Sequence, residues 1–424
     1  MEKEKTSFED KNEFPPLGNK KGGSVIIIGG GAAGYFTAIN AKEKNPDLDI
    51  TILEKGKDVL QKVKISGGGR CNVTHACFVP KDLTEFYPRG KKELLGPFHQ
   101  FMTGDTFEWF EERGVPLKIE DDNRVFPEAN TSQAIIDCFQ NAVDKLQIKV
   151  LTNCGVNSVY QQENKWVINT KNQNFEADKV VIAAGSSKKV WELCETLDHT
   201  VIEPVPSLFT FNINDKRLVN LLGTSVPNAT VKIVNTKLEA SGPLLITHWG
   251  MSGPAVLKLS AFGARILADK NYQYNVEVNW LTRPTDKVLN VLLNLKKKEP
   301  RKTVILKSPF AEISKRLWER FVVAARIKDT QNWADLNNNQ LENLANQLTK
   351  GIFNANGRTT FKDEFVTAGG IDLKEINFKR FESKKHKNLF FVGEVLNIDA
   401  VTGGFNFQNA WTGGFICANA LADN

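Results

Sequence analysis

The sequence predicts an α/β fold: an open, mostly parallel sheet that starts near residue 24, gives way to a β-rich and then helical insert, and resumes at the C terminus. Three observations predict it. "SVIIIGGGAAG" runs an apolar, β-branched segment straight into three glycines and a helical stretch. Strand-like and helix-like segments then alternate to about residue 205, as in a parallel sheet with crossover helices. "NLFFVGE" near the C terminus again reads as a strand buried on both faces.

Taken in order, residues 1–22 are charged and polar, contain Pro15-Pro16 and lack the apolar core of a signal peptide, so a mobile extension is expected there. Val25 to Ile28 form the first strand, and Gly29, Gly31 and Gly34 follow on the G-x-G-x-x-G spacing. In such a turn the first glycine permits the sharp bend, the second lets a pyrophosphate approach the main chain, and the third lets the helix pack close to the strand. The helix then aims its free N–H groups at the phosphates. "LDITILEKG" is a second strand ending at Glu54, whose carboxylate stands where an adenine dinucleotide's ribose hydroxyls are bound.

"KVKISGGGRCNVTHA" follows, from Lys62 to Ala76. Gly67 to Gly69 are costly inside a helix and suit a loop lying against a flat or charged ligand. Arg70 adds a permanent positive charge, and Ser66 and Asn72 add neutral hydrogen-bonding groups. No Gly-Lys-Ser/Thr follows, so this is not a P-loop. "DKVVIAAGSS" is a further strand ending in small residues, where an open α/β sheet places its ligands.

From about Pro206 the pattern alternates like antiparallel strands ("SLFTFNI", "NATVKIVN", "YQYNVEVNW"), and from about Arg283 helical periodicity takes over. The expected organisation is a first nucleotide-binding part over 23–205, a β-rich insert over 206–282, its helical continuation over 283–351 and a second nucleotide-binding part over 352–424. The closing helix, from about Asn406, carries Phe407, Ala410, Trp411, Phe415 and Ala418 on one face, which reads as core. Its N terminus is suited to stabilise negative charge on a reduced ring such as a flavin.

Composition narrows the class. The 424 residues suffice for two or three domains, and 41% hydrophobic with 25% charged residues is ordinary for a globular protein. The net charge is +6, and "LKKKEPRK" near Lys296 reads as a solvated helix end rather than a nucleic-acid contact. No apolar run is long enough to span a membrane. The cysteines at 71, 77, 138, 154, 194 and 417 form no C-x-x-C, which argues against structural zinc and a paired redox disulfide. No metal site is expected, and free thiols point to a cytoplasmic location.

Several motifs occur together in one order: Gly-Gly-Gly-Ala-Ala-Gly at 29–34, Ile-Ser-Gly-Gly-Gly-Arg-Cys-Asn at 65–72, Arg-Val-Phe-Pro at 124–127, Thr-His-Trp-Gly-Met-Ser-Gly-Pro at 247–254, Val-Thr-Ala-Gly-Gly at 366–370 and a Gly-Glu-Val-Leu…Gly-Gly-Phe-Asn-Phe-Gln block at 393–408. This set resembles the bacterial BaiN/YhiN-like flavoproteins, also labelled aminoacetone-oxidase-like, from about Ser24 to the C terminus. The resemblance implies a glutathione-reductase-type FAD domain interrupted by a β-barrel-like and helical insert, and an FAD-dependent oxidoreductase. It implies that Gly29, Gly30, Gly31, Ala32, Ala33, Gly34, Glu54 and Lys55 hold the ADP part. Lys62, Ser66, Gly68, Gly69, Arg70, Cys71 and Asn72 would line the cofactor, and Ala184 and Gly185 would form the second crossing. Gly393, Glu394, Gly404, Phe405, Asn406 and Phe407 would contact the ribityl chain and ring. Two departures from the family pattern bear on the substrate side: "KKVWELCETL" follows "AAGSS" with no longer Pro/Gly-rich segment, and His75 stands where Asn is common.

Cys71 is read as a packing residue beside the cofactor rather than a nucleophile, because no second cysteine lies at redox spacing. His248, in a glycine-rich turn of the insert, is either a proton donor or a histidine that serves its own loop. No second G-x-G-x-x-G follows a strand, so NADH or NADPH would bind only transiently. The expected function is an FAD-dependent oxidoreductase passing hydride between NAD(P)H or a small organic substrate and an acceptor. A small-molecule substrate is expected, with neither a membrane nor nucleic acid as partner, and the oligomeric state is left open. The alternatives are an RNA-binding or RNA-modifying flavoprotein and a non-catalytic flavin-binding sensor.

Overall fold

The computed structural model describes residues 22–359 and 366–423, so the extension expected over 1–22 lies outside the described residues apart from Gly22. The described chain divides into two compact units: one runs to Glu203 and includes Gly369–Ile398 and the chain from Gly403, and the other holds Pro204–Ala368 with Asp399–Thr402.

The first unit begins with strand β1 (Ser24–Ile28), every residue of which is buried, followed by helix α1 (Ala32–Lys44) and strand β2 (Asp49–Leu53). Helix α2 (Gln61–Gly69) leads to short strand β3 (Thr74–His75), and β4 (Arg124–Pro127) pairs with it antiparallel. Helix α3 (Gln133–Lys145) returns the chain to β5 (Lys149–Leu151), and β6 (Lys179–Ile182) precedes helix α4 (Lys188–Glu195).

The second unit contains β7 (Thr210–Ile213), β8 (Ser225–Ile233), β9 (Glu239–Ile246), β10 (Gly250–Ser252) and β11 (Gln273–Asn279). Helices α5 (Thr285–Lys298), α6 (Lys315–Ala324) and α7 (Asn338–Thr349) come next, and then β12 (Gly351–Thr359). The six strands close into an antiparallel barrel in the order β7-β10-β9-β8-β11-β12. The barrel-like expectation is therefore met. The return to the first unit comes at Gly369, not at 352, because β12 is a stave of the barrel, paired with both β11 and β7. Barrel and helices share one core, in which Phe211, Val231 and Val278 join Trp280, Trp318, Phe321 and Leu344.

The chain re-enters the first unit through β13 (Ile376–Asn377), β14 (Glu382–Ser383) and β15 (Leu389–Phe391), and ends in helix α8 (Phe405–Ala422). The sheet order is β13-β14-β15-β6-β1-β2-β5, with β15, β6, β1, β2 and β5 parallel. Register aligns Ile26 with Val180 on one side and Thr51 on the other. Packing between α1 and α8 relies on small residues: a side chain on Gly414 would start 3.0 Å from Thr37 Oγ1 and 3.4 Å from the Ala33 carbonyl. Around that contact Trp411, fully buried, gathers Phe36, Phe110 and Phe139, and its Nε1 donates to the Val73 carbonyl at 2.9 Å. Each buried Phe there contributes roughly 1.5–3 kcal/mol, so the two helices whose N termini meet the site are firmly held.

Candidate functional site

The carboxyl ends of β1, β2, β6 and β15 converge, which is where an open α/β sheet presents its ligands. The three glycines after β1 differ in what surrounds them. A side chain on Gly29 (φ +119°) would start 2.4 Å from the Ala183 carbonyl oxygen, and one on Gly34 would start 2.1 Å from the Gly29 carbonyl oxygen. Both are filled by the protein's own backbone, the first against β6 and the third against the turn. Among the described residues, a side chain on Gly31 would meet nothing within 4 Å. That opening lies at the N-cap of α1, a helix start with no side-chain cap and no acidic residue in its first turn. Free N–H groups, a positive dipole end and clear space suit a pyrophosphate.

Glu54, at the end of β2, accepts hydrogen bonds from Gly30 N (2.9 Å) and Gly56 N (2.7 Å). Its carboxylate thus ties the glycine turn to β2. Lys55 is exposed, with its Cβ 3.5 Å from the position of a side chain on Gly155, beyond β5. Nothing in its contacts brings it to the glycine turn.

The second glycine run breaks α2 as its composition requires. Ser66 is extended at ψ 151°, and Gly67, Gly68 and Gly69 all have positive φ (58°, 68° and 82°). Side chains on Gly68 and Gly69 would again meet nothing within 4 Å among the described residues. Ser132, before α3, clamps the loop from behind: its N donates to the Gly69 carbonyl (2.8 Å) and its Oγ to the Lys64 carbonyl (2.8 Å).

The side chains of this loop settle into distinct roles. The Arg70 guanidinium pairs with Glu120 at 2.6 Å and lies 3.9 Å over the Phe126 ring, so its charge is matched by the protein itself. Cys71 is fully buried at φ 61°, and burial pushes its thiol up to about 12, which leaves an inert thiol and supports the packing role. Asn72 donates to the carbonyls of Val125 (3.1 Å) and Thr74 (2.9 Å) and accepts from Gly404 N at 3.0 Å. It therefore stitches the loop to the start of α8.

Gly404 caps α8 at φ +90°, and a side chain there would start 2.5 Å from the Thr74 carbonyl carbon. Like α1, this helix starts without a side-chain cap or an acidic first turn. Gly393, after β15, lies close to Ala33 of α1 (3.1 Å for an added side chain), and Gly185, after β6, lies near the Glu394 carboxylate (3.7 Å). Glu394 pairs with Lys62 at 2.5 Å. Pairwise contacts thus link these segments: Gly29 with Ala183, Gly393 with Ala33, Gly185 with Glu394, and Glu394 with Lys62.

The two aromatic residues expected as ring contacts differ in burial. The Phe405 ring is buried in a cluster with Phe86 (4.2 Å between centroids) and His75 (4.6 Å), and its carbonyl accepts from the Tyr87 hydroxyl at 2.5 Å. It anchors α8 through that cluster. Phe407 is partly exposed and stacks on Trp411 with centroids 5.5 Å apart. The expected helix start at Asn406 moves one residue earlier, to Phe405.

His248 belongs to the second unit, in the turn between β9 and β10, where it and Trp249 are both exposed with their rings 5.2 Å apart.

The sequence reading missed a set of buried polar groups on α8 and beside it. Gln408, fully buried, accepts from Thr74 Oγ1 (2.6 Å) and Thr106 Oγ1 (3.0 Å) and donates to Thr412 Oγ1 (3.1 Å). Among the described residues the Asn409 amide and His75 Nδ1 are buried without a hydrogen-bond partner, and burial lowers the basicity of His75. The signal available was three polar side chains, Asn406, Gln408 and Asn409, in the first turns of an otherwise apolar helix. Among the described residues there is no cluster of three His, Cys, Asp or Glu able to hold a metal ion, and no helix long and apolar enough to cross a membrane.

A parallel sheet with glycine turns at two helix starts defines a dinucleotide-binding protein of the α/β class. The chain belongs to the HI0933-like family of FAD-binding Rossmann proteins, whose domain model, described as "HI0933-like protein Rossmann domain", matches residues 23–420. It is 27% identical over 417 residues to a ribosomal RNA dihydrouridine synthase of Haemophilus influenzae, covering 94% of this chain and 98% of that protein. It is 24% identical to a 3-dehydro-bile acid delta(4,6)-reductase of Clostridium scindens, covering 94% of this chain and 99% of that protein. In three dimensions it is similar to a 3-ketosteroid-delta4-(5alpha)-dehydrogenase from Rhodococcus jostii RHA1, with a TM-score of 0.51 at 10% identity over 95% of this chain and 97% of that one, a likeness of fold. The family is one of FAD-dependent oxidoreductases, and the resemblance seen in the motifs holds.

Proposed function

We propose that this protein is an FAD-dependent reductase of carbon–carbon double bonds conjugated to a carbonyl group, and that its substrate is uridine within ribosomal RNA. One observation carries the reading. The two relatives matched end to end are named for the same bond change, saturation of a double bond conjugated to a carbonyl, in a uracil ring and in a steroid. The expectation against nucleic acid as a partner is replaced by this reading, because a relative matched along its whole length acts on ribosomal RNA.

The cradle would suit the cofactor: among the described residues Gly31, Gly68 and Gly69 leave open space, and neither helix start has a side-chain cap from its N-cap residue or an acidic first turn. Gly29 to Gly34 and Glu54 would hold the ADP part, Lys62 to Asn72 the middle, and Gly393, Glu394 and Gly404 the ring end. Bound FAD would supply the hydride for the β-carbon of the conjugated system and would be recharged by NADH or NADPH bound transiently. The α8 N terminus would stabilise negative charge on a reduced ring. Cys71, protonated and buried, takes no part in proton transfer. His248 remains the candidate for a substrate-side proton donor carried by the insert. Such a substrate places the enzyme in the cytoplasm.

The test is direct. Purified protein reconstituted with FAD is incubated with NADH or NADPH and unmodified ribosomal RNA transcript, and the digested nucleosides are examined by mass spectrometry. Uridine gaining two hydrogens is the expected product. Reduction of a 3-keto-Δ4 steroid with no dihydrouridine in any RNA would replace the RNA substrate by a small enone. Flavin that no reductant bleaches would leave a binding protein without turnover.

A further inference from the structure

We infer that the helical part of the insert, residues 283–351, docks RNA by its phosphate backbone through cations gathered where α5 and α6 end. The choice of RNA as the polyanion rests on the reading above; the location rests on this chain's own charges. Residues 283–351 carry 14 Lys and Arg against 7 Asp and Glu, a net +7, while the rest of the chain nets −1. The whole positive excess of the protein therefore lies in one part of one unit.

The fold concentrates it further. Helix α5 ends in Lys296, Lys297 and Lys298. The chain then turns, and the segment after Pro300 runs beside the loop that follows α6. Val304 N donates to the Gln331 carbonyl, Trp333 N to the Lys302 carbonyl and Ala334 N to the Pro300 carbonyl, each at 3.0 Å. Gln331 Oε1 accepts from Lys328 N (2.8 Å) and from Gln340 Nε2 (3.2 Å), and Gln340 Nε2 also donates to the Arg326 carbonyl (3.1 Å). Lys296 Nζ reaches across to the Leu336 carbonyl. These bonds bring Lys296–Lys298, Arg301, Lys302, Arg326 and Lys328 onto adjoining turns.

Most of these charges are unspent. Lys302 pairs with Glu299 at 2.9 Å. Lys297, Lys298, Arg301, Arg326 and Lys328 are exposed and, among the described residues, have no carboxylate within 4 Å. A basic residue in a helix's last turn is favourable on its own account, by about 0.3–1 kcal/mol. Two helix ends explain a cation or two each; five unpaired ones held together repel, and a polyanion relieves that. Exposed neutral amides at Asn337, Asn338 and Asn339 border the same turns, as suits sugar hydroxyls and base edges. A membrane or a protein partner calls for a continuous apolar stripe or anchor. The exposed large apolar residues here, Val291, Leu306 and Val323, sit singly on separate segments.

The experiment measures binding of a fluorescently labelled ribosomal RNA hairpin to the full-length, FAD-loaded protein across a KCl series. The patch variant carries Lys297→Gln, Lys298→Gln, Arg301→Gln and Lys328→Gln together. A control variant removes the same charge from the first unit through Lys92→Gln, Lys145→Gln, Lys171→Gln and Lys188→Gln. The wild-type affinity should fall steeply with salt, and the patch variant should lose about 3 to 4 from that log–log slope and roughly 100-fold in affinity at moderate salt. Its FAD content and melting temperature should match the wild type, which separates lost docking from lost folding. Equal losses in both variants would overturn the assignment, as a net-charge effect with no location. So would wild-type binding to anionic vesicles or to an acidic polypeptide as tight as to RNA. Dihydrouridine formation by the patch variant at an unchanged KM would sink the docking surface and leave the proposed reaction standing. Lost RNA binding in the patch variant, with no dihydrouridine from the wild type, would keep the surface and sink the proposed substrate.

Discussion

Replacing Gly31 with valine separates the cofactor cradle from the fold. Gly31 has φ −94° and ψ −171°, extended backbone that any residue adopts, and an added side chain meets no atom of the described residues within 4 Å. The cost to stability is small. A poor N-cap residue loses about 1 kcal/mol relative to a good one, and the stiffer unfolded chain returns about 0.4–1 kcal/mol. Against a domain stability of about 5–15 kcal/mol, the variant folds. The space that valine fills is the space through which a pyrophosphate approaches the main chain, so FAD affinity should drop at least about 100-fold, close to 3 kcal/mol. Gly34→Val is the contrast: its side chain would start 2.1 Å from the Gly29 carbonyl oxygen, and the helix must move or the unit must open. The assay is FAD content by absorbance after reconstitution, with thermal unfolding followed by circular dichroism on the same samples. A folded Gly31→Val protein with full FAD occupancy would refute the cradle.

Three further outcomes are expected. Cys71→Ala should retain FAD and turnover, and native-state alkylation near pH 8 should modify the half-buried Cys77 while sparing Cys71, whose thiol burial pushes up to about 12; rapid loss of activity on alkylation at Cys71 would contradict this. Glu375 is pushed up by burial, but hydrogen bonds from Lys385, Thr200 and His199 outweigh that and hold it at about 2. A depressed carboxylate stabilises the fold above its ordinary range and loses that effect as pH falls through its native value, so Glu375→Gln should cost about 1 kcal/mol near pH 7, solvent screening the pair with Lys385, and progressively less between pH 4.5 and 2; urea unfolding at both ends of that window checks the sign. His248→Ala should leave FAD content unchanged, since His248 belongs to the other unit, and should slow substrate reduction under anaerobic stopped-flow; wild-type rates would return it to a loop role.

What the sequence determined by itself is the part of the protein governed by local rules. An apolar β-branched run before spaced glycines can hardly be anything but a buried strand entering a turn, and β1, the turn and α1 are formed accordingly. Three consecutive glycines cannot stay helical, and at Gly67 to Gly69 the helix breaks with positive φ at each. Alternation marked three of the barrel strands, β7, β8 and β11, and along Gln273–Asn279 buried residues do take turns with exposed or half-buried ones. The tertiary structure decided what depends on partners distant in sequence. The closing barrel strand, Gly351–Thr359, could not be assigned from its own pattern because its membership lies in pairing with residues 210–213 and 273–279. Arg70 looked like a charge for the cofactor, yet Glu120, fifty positions away, takes it. Phe405 looked like a ring contact, and three-dimensional packing with Phe86 and His75 claims its ring instead. Of the three fingerprint glycines, only coordinates show that the first and third are filled by backbone and the second stands open. Spacing along a chain encodes what neighbours demand of the backbone, whereas the destination of a charge or a ring is set by which distant segments the fold brings against it.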